Sequence, residues 1–292
     1  MSHDLENKNL NATITDLVGR SEDEGNKFFR SASSEEVVNE KTVSSVNTES
    51  SKVFIKDRLC AINMLVSDSK LGPQFSDEYR RIKRPLLSNA FGKSAELLEK
   101  GNLILVTSSI PGEGKTHTAI NLALSIANER DHTVLLVDCD VTRHGTSKML
   151  GISDMPGLIE TLEDDSFTIG DAILRTDIPE LCLLSAGKQH NFVTELLASQ
   201  KMSDLVTEIG ERYDDRVIIF DGPPLLSTPQ TRVLTSLVGQ VVFVVEAGKT
   251  PQALVEEALE LIPEEQATGL VMNKSEGVSG RSGYYYGYYG SE

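Results

Sequence analysis

One stretch, Leu103–Thr116, reads LILVTSSIPGEGKT and limits what this chain can fold into more than any other. Four apolar residues, Leu103 to Val106, predict a strand. They break into a small polar loop shaped by Pro111, Gly112 and Gly114 and closed by Lys115 and Thr116. A helical pattern begins directly afterwards. Strand, glycine loop and helix in that order gather backbone N–H groups and the positive end of a helix around an anion. A lysine at this position reaches phosphate oxygens, and the following hydroxyl ligates Mg²⁺. Ser109 stands where the G-x-x-x-x-G-K-[ST] pattern has its first glycine, so the flanking strand and helix carry the assignment.

The rest of the chain repeats the alternation. Thr133–Val137 is an apolar strand ending in Asp138-Cys139-Asp140. Glu180–Ser185, Arg216–Phe220 (followed by Asp221), Gln240–Val245 and Gly269–Met272 (followed by Asn273) are further strands. Helical patterns fall at His117–Glu129, Ser153–Leu162, Ile169–Arg175, Thr194–Tyr213, Gln230–Leu237 and Pro251–Leu261. The alternation predicts an α/β fold, a P-loop NTPase with a doubly wound, mostly parallel sheet and helices on both faces. Ligands of such sheets bind at the carboxyl ends of the strands. Those ends carry the loop, Asp138, Asp140, Asp221 and Asn273.

Residues 1–70 read as a polar, largely disordered N-terminal extension, with a short strand near Val53-Phe54-Ile55. The first 50 residues have too few apolar side chains to offset the entropy of ordering. Residues 71–276 form the predicted nucleotide-binding domain, opening with a helix from Phe75 to Leu98. Glu78, Arg81 and Arg84 recur every three residues along it, and Pro85 predicts a kink or break. Residues 277–292 are a flexible tail containing five of the seven tyrosines: Tyr284, Tyr285, Tyr286, Tyr288 and Tyr289.

A formal charge of −16 argues against nucleic acid as a partner. The three cysteines have no metal-binding spacing, as expected of a reducing compartment. No secretory signal is visible, and no run of 18 apolar residues is present to span a membrane.

The strand-end carboxylates suit nucleotide triphosphate chemistry. Asp221, after an apolar strand, sits where a metal-holding aspartate sits. Of Asp138 and Asp140, one suffices to help hold metal. A second carboxylate near the γ-phosphate could accept a proton from an attacking hydroxyl. An ATPase needs only a positioned water there; a kinase needs a hydroxyl-bearing substrate, and the tyrosine tail offers one.

The segments SSIPGEGKT, LLVDCD and VIIFDGPP, with the tyrosine-rich end, resemble the Walker A, A′ and B motifs and tail of bacterial tyrosine kinases. The resemblance runs from about Glu78 to Glu292. It implies an ATP- and Mg²⁺-dependent protein-tyrosine autokinase. Pro111, Gly112, Glu113, Gly114, Lys115, Thr116 and His117 would bind nucleotide, and Asn273 would lie on its adenine side. Thr116, Asp138, Asp140 and Asp221 would surround the metal, with Asp138 as general base and Lys115 and Asp140 also catalytic. Glu78, Arg81 and Arg84 match the family's oligomerisation motif, which packs subunits into a ring. Ring neighbours would phosphorylate one another's tails. Asn273 and Tyr284 are about ten residues apart, a reach of roughly 35 Å.

The polar N-terminus and missing membrane segment resemble autokinases of exosortase-linked exopolysaccharide systems. That resemblance implies a cytoplasmic protein recruited to the membrane by a polysaccharide co-polymerase (chain-length determinant) activator and reset by a protein-tyrosine phosphatase. Ile110 stands where ParA- and MinD-like ATPase switches, the alternative reading, carry a signature lysine. Thr142 and His144 depart from the Arg and Pro usual after the acidic pair, and Phe192 replaces a Pro.

Overall fold

The computed structural model describes residues 52–66, 73–92 and 98–275. The tyrosine cluster and the first fifty residues lie outside the described residues. In chain order the first elements are β1 (Lys52–Val53), α1 (Lys56–Ala61), α2 (Pro73–Phe91), β2 (Leu103–Ser108), α3 (Lys115–Ala127), β3 (Thr133–Asp138) and α4 (Gly145–Leu150). They are followed by α5 (Leu158–Glu163), α6 (Ile169–Ala172), β4 (Leu174–Thr176), β5 (Leu181–Leu184), α7 (Val193–Leu197) and α8 (Gln200–Glu211). The last are β6 (Arg216–Asp221), α9 (Gln230–Leu237), β7 (Gln240–Glu246), α10 (Gln252–Leu259) and β8 (Ala267–Asn273).

The strands form one sheet in the order β1-β4-β5-β3-β6-β2-β7-β8. Every pairing is parallel except β4 with β5. Alternate side chains of the central strands feed two cores. Ile104, Val106, Leu136, Ile219 and Val244 pack under α1, α2 and α3. Leu103, Leu105, Val137, Ile218 and Phe220 pack under α5, α7, α8 and α9. A sheet covered on both faces explains why these strands are continuous apolar runs rather than alternating ones. The predicted α/β architecture with helices on both faces is therefore the one observed.

Three local expectations are corrected. First, residues 52–66 belong to the fold, although the sequence reading placed 1–70 outside it. Ile55, Leu59 and Met64 are at most 1% exposed, and the Asp177 carboxylate accepts the Ile55 N–H at 2.9 Å at the start of α1. A few apolar residues spaced for one helix face suffice to dock a short segment, a signal masked by the polar residues around them. Second, Ile169–Arg175 is not one helix. It stops at Ala172, and Leu174–Thr176 pairs antiparallel with β5. Third, α4 has no counterpart among the predicted helices. Its sequence, GTSKML, is too short and polar to show a period.

Helix α2 runs through Pro85, which lies on its exposed side. Tyr79, Lys83 and Leu86 face inward. Lys83 is 6% exposed; its ammonium donates to Ser125 O at 2.6 Å and pairs with Glu129 at 2.6 Å. Glu78, Arg81 and Arg84 are all exposed. Among the described residues, no helix is long and apolar enough to cross a membrane.

Candidate active site

The loop after β2 takes its shape from two left-handed glycines, Gly112 at φ 94° and Gly114 at φ 99°. Gly114 is required twice over, since a Cβ there would lie 1.9 Å from Asn273 Nδ2. Asn273, at the end of β8, donates to Glu113 O at 2.8 Å, and Lys274 Nζ donates to Gly112 O at 2.6 Å. The loop is thus held from the β8 side as well as by its own strand.

Glu113 is 1% exposed. Its carboxylate accepts the Ile110 N–H at 2.8 Å and the Thr250 hydroxyl at 2.6 Å. It therefore ties the loop to the turn after β7, and only its backbone is available to a phosphate. The His117 ring lies 3.1 Å from Asn121 Nδ2 and 6.3 Å, centroid to centroid, from Phe75 of α2. The side chains of Glu113, His117 and Asn273 are all engaged in protein contacts, which leaves the loop amides facing the anion side. Pro111 and Gly112 form the exposed tip. The first N–H groups of α3, from Lys115 on, have no partner within the helix and mark the anion side of the loop.

Lys115 meets the strand-end acids. Its ammonium is 3.0 Å from Asp140 Oδ2 and 3.8 Å from Asp221 Oδ1. Asp138 and Asp221 are direct neighbours in the β3–β6 ladder. The sheet thus brings together Lys115, Thr116, Asp138, Asp140 and Asp221, as the sequence predicted. Burial lowers the Lys115 ammonium's affinity for its proton, but Asp221 and Asp140 overcome this and hold its pKa above the usual lysine value. Burial, with the Asp221 charge adding to it, pushes the Asp138 carboxyl up to about 7. Burial also raises Asp221, against the pull of Lys115.

Two further residues were not found from sequence. The Ser147 N–H and hydroxyl donate to Asp138 Oδ2 at 2.8 and 2.7 Å. The Thr146 hydroxyl donates to Asp221 Oδ2 at 2.8 Å. Both sit at the start of α4, the helix that periodicity missed. His144, just before them, has φ 54° and a buried Nε2 with no partner.

The donor set fits a hard divalent cation. Asp221 Oδ1 is buried and accepts no hydrogen bond, and the Thr116 hydroxyl also reaches Asp221. Three carboxylates face a single ammonium. A hydroxyl and carboxylate oxygens are the ligands Mg²⁺ takes, with water and phosphate completing its shell. No group of three or more His, Cys, Asp or Glu among the described residues is arranged to hold a metal alone. A site that shares its ion with a nucleotide does not need one.

The family described as AAA domain matches residues 101–264. Tyrosine-protein kinase CpsD of Streptococcus agalactiae is 31% identical over 192 residues, covering 64% of this chain and 81% of that protein. Tyrosine-protein kinase YwqD of Bacillus subtilis is 29% identical over 219 residues, covering 74% and 87%. Several longer curated relatives are spanned for only 20–27% of their length. The crystal structure of the VpsO kinase domain is 29% identical, with a TM-score of 0.54 and coverage of 68% of this chain and 98% of that one. A loop, a lysine and three strand-end aspartates gathered on such a sheet agree with these likenesses, and the chain belongs to the bacterial tyrosine-protein kinase family of P-loop proteins.

Proposed function

We propose that this chain is an ATP-dependent tyrosine autokinase that phosphorylates its own C-terminal tyrosine cluster. The observation that carries the reading is the convergence of Lys115 with three strand-end carboxylates beside a loop built to take phosphate. Lys115 would exchange its ion pair with Asp140 for the β- and γ-phosphates. Thr116 and Asp221 would hold Mg²⁺, with Asp140 supporting. The ion supplies charge neutralisation on the phosphates when bound. Asp138 would take the proton from the attacking tyrosine. Burial raises its carboxyl to about 7, which suits a base working near neutrality. The tail tyrosine then displaces ADP from the γ-phosphorus.

The exposed row Glu78, Arg81 and Arg84 supports a ring in which the tail of one subunit enters a neighbour's site. Each phosphotyrosine would add about −1.5 to −2 charges to an already acidic chain. Repeated phosphorylation would therefore loosen the ring. The names of the relatives support a role in exopolysaccharide synthesis or export, one of them being a succinoglycan biosynthesis transport protein. A membrane co-polymerase would activate the kinase and recruit it to the inner membrane face, and a tyrosine phosphatase would reset it.

The test is incubation of the full chain with γ-labelled ATP and Mg²⁺, with and without an activating segment. Wild type is compared with Lys115→Met and with Tyr284, Tyr285, Tyr286, Tyr288 and Tyr289 all changed to Phe. Label in phosphotyrosine that needs both Lys115 and the tail supports the reading. Free phosphate with no label on protein would favour an ATPase switch of the ParA or MinD kind. Sizing before and after phosphatase treatment tests the ring, and an unchanged oligomer would remove that part.

A further inference from the structure

We infer that residues 52–66 form a strap that positions the site's carboxylates, with Arg58 as the positioning residue. The inference rests on the proposed kinase reaction only for the activity it predicts; the contacts themselves do not depend on it.

Asp138 and Asp221 owe their orientation to Ser147 and Thr146, both fully buried at the start of α4. Helix α4 has six residues, far below the length at which a helix holds itself together. It is entered at His144 and left at Gly151, both at positive φ. Leu150 seats one face of it in the core, and both of its ends are gripped as well. At the entry, the His144 N–H donates to Asp140 O at 2.6 Å. At the exit, the grip comes from far away in sequence: Arg58 Nε donates to Met149 O at 2.6 Å and Nη2 to Lys148 O at 2.9 Å. The guanidinium gives Met149 O a donor, adds a second donor to Lys148 O beside the Gly151 N–H, and offsets the negative charge of the last turn.

Arg58 is itself fixed. Ile55 and Leu59 anchor its helix in the core, and Asp177 receives the N–H groups of Ile55 and Lys56. The other end of the strap reaches the phosphate-loop helix: the Leu65 N–H donates to Asn121 Oδ1 at 2.7 Å. Asn121 is buried on α3, the helix that begins with Lys115 and Thr116. One short segment therefore holds both the helix that presents the phosphate-binding residues and the helix that orients the carboxylates.

The test uses the full chain carrying Arg58→Ala, Arg58→Gln or Arg58→Lys. Amide hydrogen exchange is the first readout, without nucleotide. Residues 145–150 should exchange roughly tenfold faster in Arg58→Ala, while β3 and β6 keep their protection. Arg58→Lys should recover part of it. The second readout is phosphotransfer: kcat should fall roughly three- to thirtyfold, with the KM for ATP within about twofold. In a Ser147→Ala background, Arg58→Ala should cost less than about twofold more, because it acts through the same helix. Unchanged exchange in α4, or effects that multiply fully in the double variant, would overturn the proposal. Should Arg58→Ala fail to fold, the Gln and Lys variants carry the same measurements. Should wild type transfer no phosphate even with the activating segment, the kinase reading fails while exchange still decides the strap.

Discussion

Gly114→Ala is the sharpest perturbation the site offers, because two separate costs can be read from one position. The residue sits at φ 99°, a conformation an alanine adopts at about 1–3 kcal/mol. Its Cβ would also fall 1.9 Å from Asn273 Nδ2, so that side chain must leave. With it goes the 2.8 Å bond to Glu113 O, which contributes about 0.5–1.5 kcal/mol. The sum is about 2–4 kcal/mol. Urea unfolding of Gly114→Ala, Asn273→Ala and the double variant reads it, together with the affinity of each for a fluorescent ATP analogue. Asn273→Ala alone should cost only the bond, about 1 kcal/mol. In the double variant the collision is gone, so adding Gly114→Ala to Asn273→Ala should cost only the φ strain. Strictly additive costs, or a Gly114→Ala protein as stable and as tight-binding as wild type, would refute this account of the loop.

Burial raises Asp138 from the ordinary carboxylate value to about 7, so a native state that ionises it is penalised increasingly between about pH 4 and 7. Asp138→Asn should therefore unfold at higher urea than wild type at pH 8 in EDTA, with the advantage shrinking towards pH 4.5; an advantage that grows on acidification would contradict the burial argument. Lys115→Met should abolish phosphotransfer, measured with labelled ATP, and leave Asp140 and Asp221 buried without their cation. Lys83→Ala removes a buried stem and the link from α2 to α3, and should cost about 2 kcal/mol in urea unfolding. Glu129→Gln, its half-exposed partner, should cost under 1 kcal/mol.

The central sheet was legible because its strands are buried on both faces and therefore read as uninterrupted apolar runs with chemistry at their ends. Lys115, Thr116, Asp138, Asp140 and Asp221 follow from that pattern, since each lies within a residue or two of a strand end or helix start. What sequence missed depends on contacts between distant segments. Ser147 and Thr146 belong to a helix too short to show periodicity, and nothing local marks a serine as the partner of an aspartate nine residues earlier. Arg58 lies 90 residues from the carbonyl it grips, in a segment whose polar neighbours suggest no core at all. Motif position placed Glu113 in the loop but could not reveal that its carboxylate turns to Ile110 N–H and Thr250.

The sheet order also fixes where the chain enters and leaves. Lys52 lies on one edge strand and Asn273 on the other, seven interstrand steps away, or about 34 Å at the usual strand spacing. A tether attached directly at Lys52 would join the sheet at its β1 edge. Asn273, the last strand residue before the tyrosine-rich end of the sequence, lies on the opposite edge strand. An immobilised preparation attached at Lys52 is therefore held by the sheet edge away from Asn273, which is the arrangement to use when testing the proposed transfer to the tyrosine cluster.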